Sequence, residues 1–329
     1  MATLGHYFGT AQELSPGSSG KTPRKTDGYK TVQVNDVSLA YREAGPPDGE
    51  PMILMHGHMS DLRSFNRIQD TLAQNGYHVF NYSRRFAWPN TPITDAEVDD
   101  WGNHAKDMAA FIEALKLGRK VTLCGNSSGG FISLLVARDR PELVSSLVLE
   151  EPPAVPIFFP WGIPPSWFAI LRFMIFYPFS FIPLLMYVIS LSRVINVIKT
   201  EGDDEGGAEL FIHMVVGNVF YHELTKERNR WNADNTDYTA AFMKRGPGMP
   251  KLTEEEAIVV GEKIPTLCLI GEHTADMGAR EATKRLGAIM PGAKTVWIKN
   301  ASHLAHENNP KQVSQAIMEH MERSVKKTN

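Results

Sequence analysis

The sequence predicts an α/β protein with a largely parallel sheet and helices on both faces of that sheet. Short apolar runs typical of buried strands alternate with stretches of helical spacing through most of the 329 residues. The alternation fails between about residues 153 and 262, where the chain is helix-like and very apolar at its start. Together these features predict one large α/β domain that carries a helical insertion.

The predicted elements begin with a hairpin and continue as strands that alternate with helices. Tyr29–Val34 and Ser38–Arg42 alternate in strand fashion on either side of a turn at Asn35-Asp36. Further strands are predicted at 51–55, 77–82, 121–124, 146–149, 266–270 and 294–298. Helices are predicted at 62–74, 99–117, 131–138, 279–289 and 310–323.

Three parts of the chain differ in composition, and we expect them to form separate units. Residues 1–28 are rich in serine, proline and glycine at their centre and form an N-terminal arm. Residues 29–152 and 263–329 form the α/β core, and residues 153–262 form a helical cap between two of its strands. Within the cap, Phe173–Ser192 contains no charged residue and is long enough to be considered as a membrane span.

Prolines decide between two interpretations of this uncharged cap segment. Pro178 and Pro183 interrupt it, which favours broken helices lining an apolar pocket over a continuous membrane span. The sequence leaves open whether the cap contacts a membrane surface and whether the protein forms a homodimer.

Composition and charge exclude several function classes. A net charge of −3 gives no electrostatic reason to expect nucleic acid as a partner. Cys124 and Cys268 lie in apolar strand-like runs, which is typical of buried thiols in a reducing compartment, so we expect a cytoplasmic protein without a secretory signal. Neither an H-E-x-x-H nor a C-x-x-C motif occurs, and we expect no metal and no cofactor.

The pentapeptide Gly125-Asn126-Ser127-Ser128-Gly129 is the strongest functional signal. It follows a predicted buried strand, and G-x-S-x-G in that position is the form of a nucleophile elbow. Its glycines remove side chains that would clash across the tight turn. Ser127 would then present its hydroxyl to a cleft. A loop that is merely rich in small residues is the alternative.

A serine needs a base to remove its proton and amide groups to stabilise the oxyanion. His303 is the candidate base, because its loop follows a predicted strand and precedes the last helix; His306 is its rival. The amide of Ser128 is one candidate oxyanion donor. The amide of His58, in the loop that follows the predicted strand 51–55, is the other, unless His56-Gly57 is only a tight turn.

Three carboxylates are candidates for the acid that orients the histidine: Glu150, Glu151 and Asp276. Side chains alternate along a strand, so Glu150 and Glu151 cannot both face the same histidine. Arg84 and Arg85 follow another predicted strand at the same edge of the sheet. We expect them to hold neighbouring loops together rather than to contact a substrate.

The loop at His56-Gly57, the elbow and the Ser302-His303 loop occur in an order that resembles the α/β-hydrolase family, over about residues 29–325. The resemblance implies a mostly parallel eight-stranded sheet with a cap over a buried triad. In many members an aspartate follows the strand before the last, where Thr274 stands here. Glu151-Pro152-Pro153 is similar to members whose acid is a glutamate after the elbow helix, including fungal lactonases acting on resorcylic macrolactones such as zearalenone, which favours Glu151.

The resemblance implies a cofactor-independent serine hydrolase that cleaves an ester or lactone of a large apolar substrate. Dehalogenases and epoxide hydrolases of this fold carry an aspartate where Ser127 stands, which favours acyl chemistry. We expect Gly57, Trp161, Trp167 and Phe168 to contact a hydrophobic small-molecule substrate. A carbon–carbon bond hydrolase, a lyase, a cyclase or a non-catalytic ligand receptor on the same scaffold are alternatives.

Overall fold

A mostly parallel sheet forms the centre of the computed structural model, which describes residues 28–94, 97–159, 165–245 and 249–328. Within these ranges the sheet has eight strands in the order β1-β2-β4-β3-β5-β6-β7-β8. The β1–β2 and β2–β4 pairs are antiparallel and all other pairs are parallel. The strands are β1 (Lys30–Val34), β2 (Val37–Ala44), β3 (Pro51–Met55), β4 (His78–Tyr82), β5 (Val121–Asn126), β6 (Val144–Glu150), β7 (Thr266–Gly271) and β8 (Lys294–Ile298). This confirms the predicted fold class.

Helices cover both faces of the sheet. Those that connect or follow the strands of the core are α1 (Asn66–Gln74), α2 (Trp101–Ala114), α3 (Ser128–Asp139), α11 (Met277–Ile289), α12 (Ala305–Asn308) and α13 (Pro310–Thr328). Helix α1 also contacts α13, and both pack on one face, whereas α2 and α3 pack together on the other. The N-terminal arm predicted for residues 1–28 lies outside the described residues except for Gly28.

Strand β3 contributes side chains to two hydrophobic cores, one on each face of the sheet. All five of its residues are buried. Met52 and Leu54 belong to the core beneath α1 and α13, whereas Ile53 and Met55 belong to the core beneath α2 and α3. Successive side chains of a strand point to opposite faces, so a continuous apolar run is required where both faces are covered.

The segment between β6 and β7 is helical. Its helices are α4 (Trp167–Phe176), α5 (Pro178–Asn196), α6 (Asp204–Val216), α7 (Asn218–His222), α8 (Lys226–Asp234), α9 (Thr236–Arg245) and α10 (Glu254–Lys263). Helix α10 contacts α3 and α11 of the core, so it extends the helical layer of the sheet. Helices α4 to α9 supply the remainder of the insertion.

Helix α5 is apolar around most of its circumference. Among the described residues, Pro178–Glu201 is one helical stretch with the length and composition needed to cross a bilayer, and 17% of its most apolar window is buried. Pro183 lies inside this helix without ending it. The predicted interruption occurs at Pro178, where α5 begins after α4 ends, and the two helices meet at Tyr177. The interruption predicted at Pro183 does not occur.

Candidate active site

Ser127 occupies a strained corner between β5 and α3. Its backbone has φ 52° and ψ −126°, a conformation that residues with a side chain rarely adopt. Its amide donates a hydrogen bond of 2.8 Å to the carbonyl of Glu150 at the end of β6. The corner is therefore fastened to the neighbouring strand.

Glycines at both ends of the pentapeptide allow this corner to form. A Cβ on Gly125 would lie 2.4 Å from the backbone of Gly129. A Cβ on Gly129 would lie 2.4 Å from the carbonyl oxygen of Met55, at the end of β3. Likewise, a Cβ on Gly57 would lie 2.9 Å from the Cβ of Ser127. Backbone atoms cannot yield as side chains can, so Gly125 and Gly129 require glycine, whereas Gly57 leaves room for the Ser127 side chain.

His303 and Glu151 form a buried pair. The Nδ1 atom of His303 lies 2.7 Å from Oε2 of Glu151, and both side chains are buried. The other carboxylate oxygen of Glu151 accepts hydrogen bonds from the amide of Gly271, at 2.8 Å, and from the hydroxyl of Thr274. The carboxylate is thus fixed on both sides, and it holds the imidazole through a single ring nitrogen.

Burial alone would lower the pKa of His303. The hydrogen bond and the charge of Glu151 outweigh burial, with a smaller contribution from Asp276, and raise this pKa above its usual value. The ring is therefore a stronger base than a free histidine.

The elbow and the histidine loop are joined directly. The side-chain amide of Asn126 donates a hydrogen bond of 2.9 Å to the carbonyl of His303. It also donates one of 3.2 Å to Glu150. The residue that precedes Ser127 thus binds the backbone of His303, which places the two predicted residues at the same edge of the sheet.

Glu150 and His306, the rivals of Glu151 and His303, form a second buried pair. Their Oε1 and Nδ1 atoms lie 2.8 Å apart, and the His306 ring stacks on Phe65 with ring centroids 4.1 Å apart. Oε1 of Glu150 also accepts a hydrogen bond from the His306 amide. This pair fastens the histidine loop to β6 behind the site.

As the acid, Asp276 would have to contact His303, but it caps a helix instead. Its carboxylate accepts a hydrogen bond of 3.0 Å from the amide of Ala279 and caps the start of α11. Glu151, and not Asp276, contacts the His303 ring. Asp276 nevertheless lies beside the cavity described below, where its charge acts on His303 at longer range.

His58 is held by a polar network that sequence reasoning missed. Its Nε2 lies 3.0 Å from Asp99, and the same carboxylate contacts Nε2 of His104 at 2.5 Å. The imidazole also stacks on Tyr238 with centroids 5.0 Å apart. Asp99 and His104 are distant from His58 in the chain, and no motif connects them.

Burial lowers the pKa of His58 to about 4, although Asp99 opposes this shift. The imidazole is therefore neutral at physiological pH, and its Nε2–H can donate to the Asp99 carboxylate. The network fixes the loop that carries the predicted amide donor at His58. The Ser128 amide, the other predicted donor, lies at the start of α3, where backbone N–H groups have no partner within the helix.

A cavity of about 790 Å³ lies over this site. Ser127, Ser128, His58 and Asp276 contribute to its polar side. The rest of its wall is mainly apolar and includes Trp101, Pro153, Phe159, Ile170, Phe173, Phe181, Leu184, Leu191, Phe211, Phe242 and Met249. The candidate nucleophile therefore opens onto a space suited to a bulky apolar ligand.

Two aromatic residues predicted to contact a substrate face away from the cavity. Trp167 is 87% exposed and Phe168 is 69% exposed, and neither lines the cavity wall. Helix α4 instead turns Ile170 and Phe173 inward. The prediction for Trp167 and Phe168 is corrected here, because a helix that is apolar all round gives no signal of which face is inside. Trp161 lies outside the described residues.

Of the adjacent arginines, Arg85 makes the structural contacts that were expected. Arg85 forms ion pairs with Asp107 and Asp36. Arg84 is buried beside the Tyr238 ring, and its amide donates to Nε2 of His56. Neither arginine lines the cavity.

Comparisons with known proteins identify the family. The model of the alpha/beta hydrolase family matches residues 52–316, so the chain belongs to this family. A non-heme chloroperoxidase of Streptomyces lividans is 31% identical over 128 residues, which are 38% of this chain and 45% of that protein. The chain thus spans less than half the length of this curated relative.

Solved structures share the fold at low sequence identity. The carboxylesterase CesB (YbfK) of Bacillus subtilis superposes with a TM-score of 0.65 at 18% identity, over 89% of this chain and 90% of that one. The enol-lactonase of Burkholderia xenovorans LB400 gives a TM-score of 0.65 at 16% identity, over 89% of this chain and 99% of that one.

Replacing Gly129 with alanine tests the packing of the elbow. We expect Gly129→Ala to lower the free energy of unfolding by about 2–3 kcal/mol, because the new Cβ meets the backbone of Met55. Gly102→Ala in α2 is the control, because its Cβ would meet no backbone atom, only the Asp100 carboxylate and a ring carbon of Pro250. The carboxylate caps α2 and can turn aside, so we expect a change in stability of no more than about 1 kcal/mol. Urea denaturation measures both, and equal effects would contradict the argument.

The pKa of His303, followed by NMR of its imidazole, tests which carboxylate acts on it. We expect Glu151→Gln to produce the largest decrease, since it removes the charge that contacts the ring and leaves only a neutral amide oxygen as acceptor. Glu150→Gln and Asp276→Asn should produce smaller decreases, because neither side chain contacts the ring. A larger decrease in Asp276→Asn than in Glu151→Gln would assign the acid to Asp276.

Proposed function

We propose that this protein is a serine hydrolase that cleaves a carboxylic ester or lactone of a large apolar substrate. One observation carries the proposal: Ser127 stands on a strained elbow facing an apolar cavity, and the residue before it binds the loop of the buried Glu151–His303 pair. A nucleophile, a base and an orienting acid are the elements that acyl transfer requires.

The reaction begins when the Ser127 hydroxyl attacks the carbonyl carbon of the substrate. His303 accepts the hydroxyl proton at Nε2, and Glu151 stabilises the imidazolium that results. The carbonyl oxygen becomes an oxyanion, which the amides of Ser128 and His58 stabilise. When the carbon–oxygen bond of the ester breaks, the leaving alkoxide takes the proton from His303.

Water completes the cycle. It attacks the acyl group on Ser127 while His303 removes one of its protons, and the second tetrahedral intermediate collapses to a carboxylic acid. The proton then returns to the Ser127 oxygen. For a lactone, the alcohol and the acid are ends of one product, so the substrate gains one water in mass and loses its ring.

The cavity supports a large apolar substrate. Its wall is mainly apolar, and its volume of about 790 Å³ is within the range of sites that enclose whole small molecules. The Glu151-Pro152-Pro153 resemblance to lactonases of resorcylic macrolactones supports a cyclic ester. Likeness to a carboxylesterase and an enol-lactonase agrees with ester chemistry in general.

Loss of the Ser127 hydroxyl is the direct test of this mechanism. We expect Ser127→Ala to reduce kcat for a p-nitrophenyl ester by roughly 10⁴-fold or more and to abolish labelling by a fluorophosphonate probe. Ser145→Ala, a half-buried serine on β6, is the matched control and should keep both properties. Retained turnover in Ser127→Ala would remove the serine from the mechanism.

Isotope-labelled water separates ester hydrolysis from the alternative reactions on this scaffold. In H₂¹⁸O, the acid product of an ester or lactone should carry one solvent oxygen. A lyase or a cyclase would incorporate none, and a carbon–carbon bond hydrolase would yield two fragments from a substrate without an ester link. A receptor would yield no product.

Substrate size tests the assignment of the cavity. We expect kcat/KM for p-nitrophenyl esters to rise by at least about tenfold from acetate to octanoate, because each buried methylene contributes about 0.8 kcal/mol. Leu184→Gln, which places an amide in the apolar wall, should reduce the gain for the long chain and leave acetate nearly unchanged. A macrocyclic resorcylic lactone belongs in the same panel, with ring opening followed by mass. Equal rates for short and long chains would place the acyl group outside the cavity.

A further inference from the structure

Helices α4 and α5 carry an exposed apolar surface, which we name the apolar cap face. We define it by Trp167, Phe168, Ile175, Phe176, Phe179 and Ile182, each at least 60% exposed. The two helices are consecutive and contact each other. Large apolar patches on a protein surface mark sites of interaction with a partner or a membrane.

Cationic side chains outnumber carboxylates near the apolar cap face. Two carboxylates reach it: Glu254 accepts a hydrogen bond from Tyr177, and Glu281 accepts one from Ser180. Each of them is paired with a cation of the core, Arg285 and Lys284 respectively. From Ala154 to Thr200 the chain contains no aspartate or glutamate, and its charged residues are Arg172, Arg193 and Lys199. Anionic lipid headgroups complement such a surface. A second copy of the chain would instead bring the same excess of positive charge to the contact, since a twofold interface presents the same patch on both sides.

The exposed stripe of α5 becomes polar toward the end of the helix. Phe179, Ile182 and Ile189 lead along it to Ser192 and Arg193, which are also exposed. The acidic run that begins at Glu201 lies about 18 Å beyond Ile189, at 1.5 Å per residue. The apolar stripe of α5 is therefore bounded at its end by a basic residue, and the acidic run of the same chain segment begins well beyond it.

Helix α5 also forms a wall of the cavity above Ser127. Leu185 and Val188 line the cavity and are nevertheless 43% and 54% exposed. The cavity therefore reaches the outer surface beside the apolar cap face. On the inner side, Leu184 lines the same cavity and is buried. One side of α5 faces the candidate site and the other faces outward, which explains why the helix is apolar all round.

We propose that the apolar cap face docks on the surface of a bilayer that contains anionic lipids, and that an apolar substrate enters the cavity from the lipid past Leu185 and Val188. Helix α5 lies in the interface rather than crossing it, because Leu184, Val194 and Ile198 of the same helical stretch are buried within the protein. The inference of docking depends only on the exposed residues of the apolar cap face. The inferred route of the substrate also rests on the proposed function.

Co-sedimentation with lipid vesicles tests the docking. The full chain is mixed with vesicles of phosphatidylcholine and with vesicles of phosphatidylcholine and phosphatidylglycerol at 7:3. We expect binding to both, with tighter binding to the anionic vesicles that weakens as salt is raised. The double variant Phe179→Glu/Ile182→Glu should bind roughly tenfold or more weakly, because two apolar side chains no longer enter the interface.

The matched control is Val219→Glu/Val259→Glu, which changes two exposed valines outside the apolar cap face. We expect it to bind vesicles as the unmodified protein does. Both double variants should keep the unmodified circular dichroism spectrum and the unmodified turnover of soluble p-nitrophenyl acetate, which separates docking from folding and chemistry. Equal binding by the two double variants would overturn the proposal.

Two further outcomes have defined meanings. If the protein stays in solution with both vesicles, and sedimentation velocity shows a dimer that Phe179→Glu/Ile182→Glu dissociates, the face is an interface between copies and the proposal is overturned. Ser127→Ala should bind vesicles like the unmodified protein. If it does so while the unmodified protein hydrolyses no ester, docking is supported and the proposed function fails.

Discussion

The site depends on two neighbouring carboxylates at the end of β6 that point in opposite directions. Glu150 contacts His306, and Glu151 contacts His303, so one strand end holds the histidine loop at two points. Both carboxylates are fully buried, which is costly unless hydrogen bonds and charges compensate. Removing either carboxylate would leave a buried histidine without its charged partner and would release the loop at one of these two points.

Backbone strain is concentrated where these contacts meet. Ser127 has φ 52° and Glu151 has φ 48°, although neither is glycine. The two residues stand at the ends of adjacent parallel strands, and the Ser127 amide binds the carbonyl of Glu150. Such conformations persist only where the surroundings over-determine them. The hydrogen bonds of the Asn126 side chain and of the Ser127 amide supply that constraint, and Gly125 and Gly129 leave the space for it.

Most of the fold and part of the candidate site could be predicted from local patterns in the sequence. Elbow glycines, apolar runs and helical spacing are short-range signals. Strand alternation implied that Glu150 and Glu151 cannot both face one histidine, and the two carboxylates contact different histidines. That Glu150 is buried on His306 could not be foreseen, because the contact joins distant segments. The same holds for Asp99 behind His58. The prediction for Trp167 was wrong because the sequence of a helix that is apolar all round does not show which face points inward.

Thr274 helps to fix the carboxylate that contacts His303. It occupies the position where the family resemblance leads one to expect an aspartate, and its hydroxyl donates to Glu151 on the neighbouring strand. The carboxylate that contacts His303 thus comes from the end of β6, and the position expected for an aspartate supplies a neutral donor to it. A hydrogen bond to the charged form favours that form, so Thr274 opposes the rise in the pKa of Glu151 that burial causes. An aspartate in place of Thr274 would instead place a second carboxylate next to Glu151, and the two like charges would repel each other.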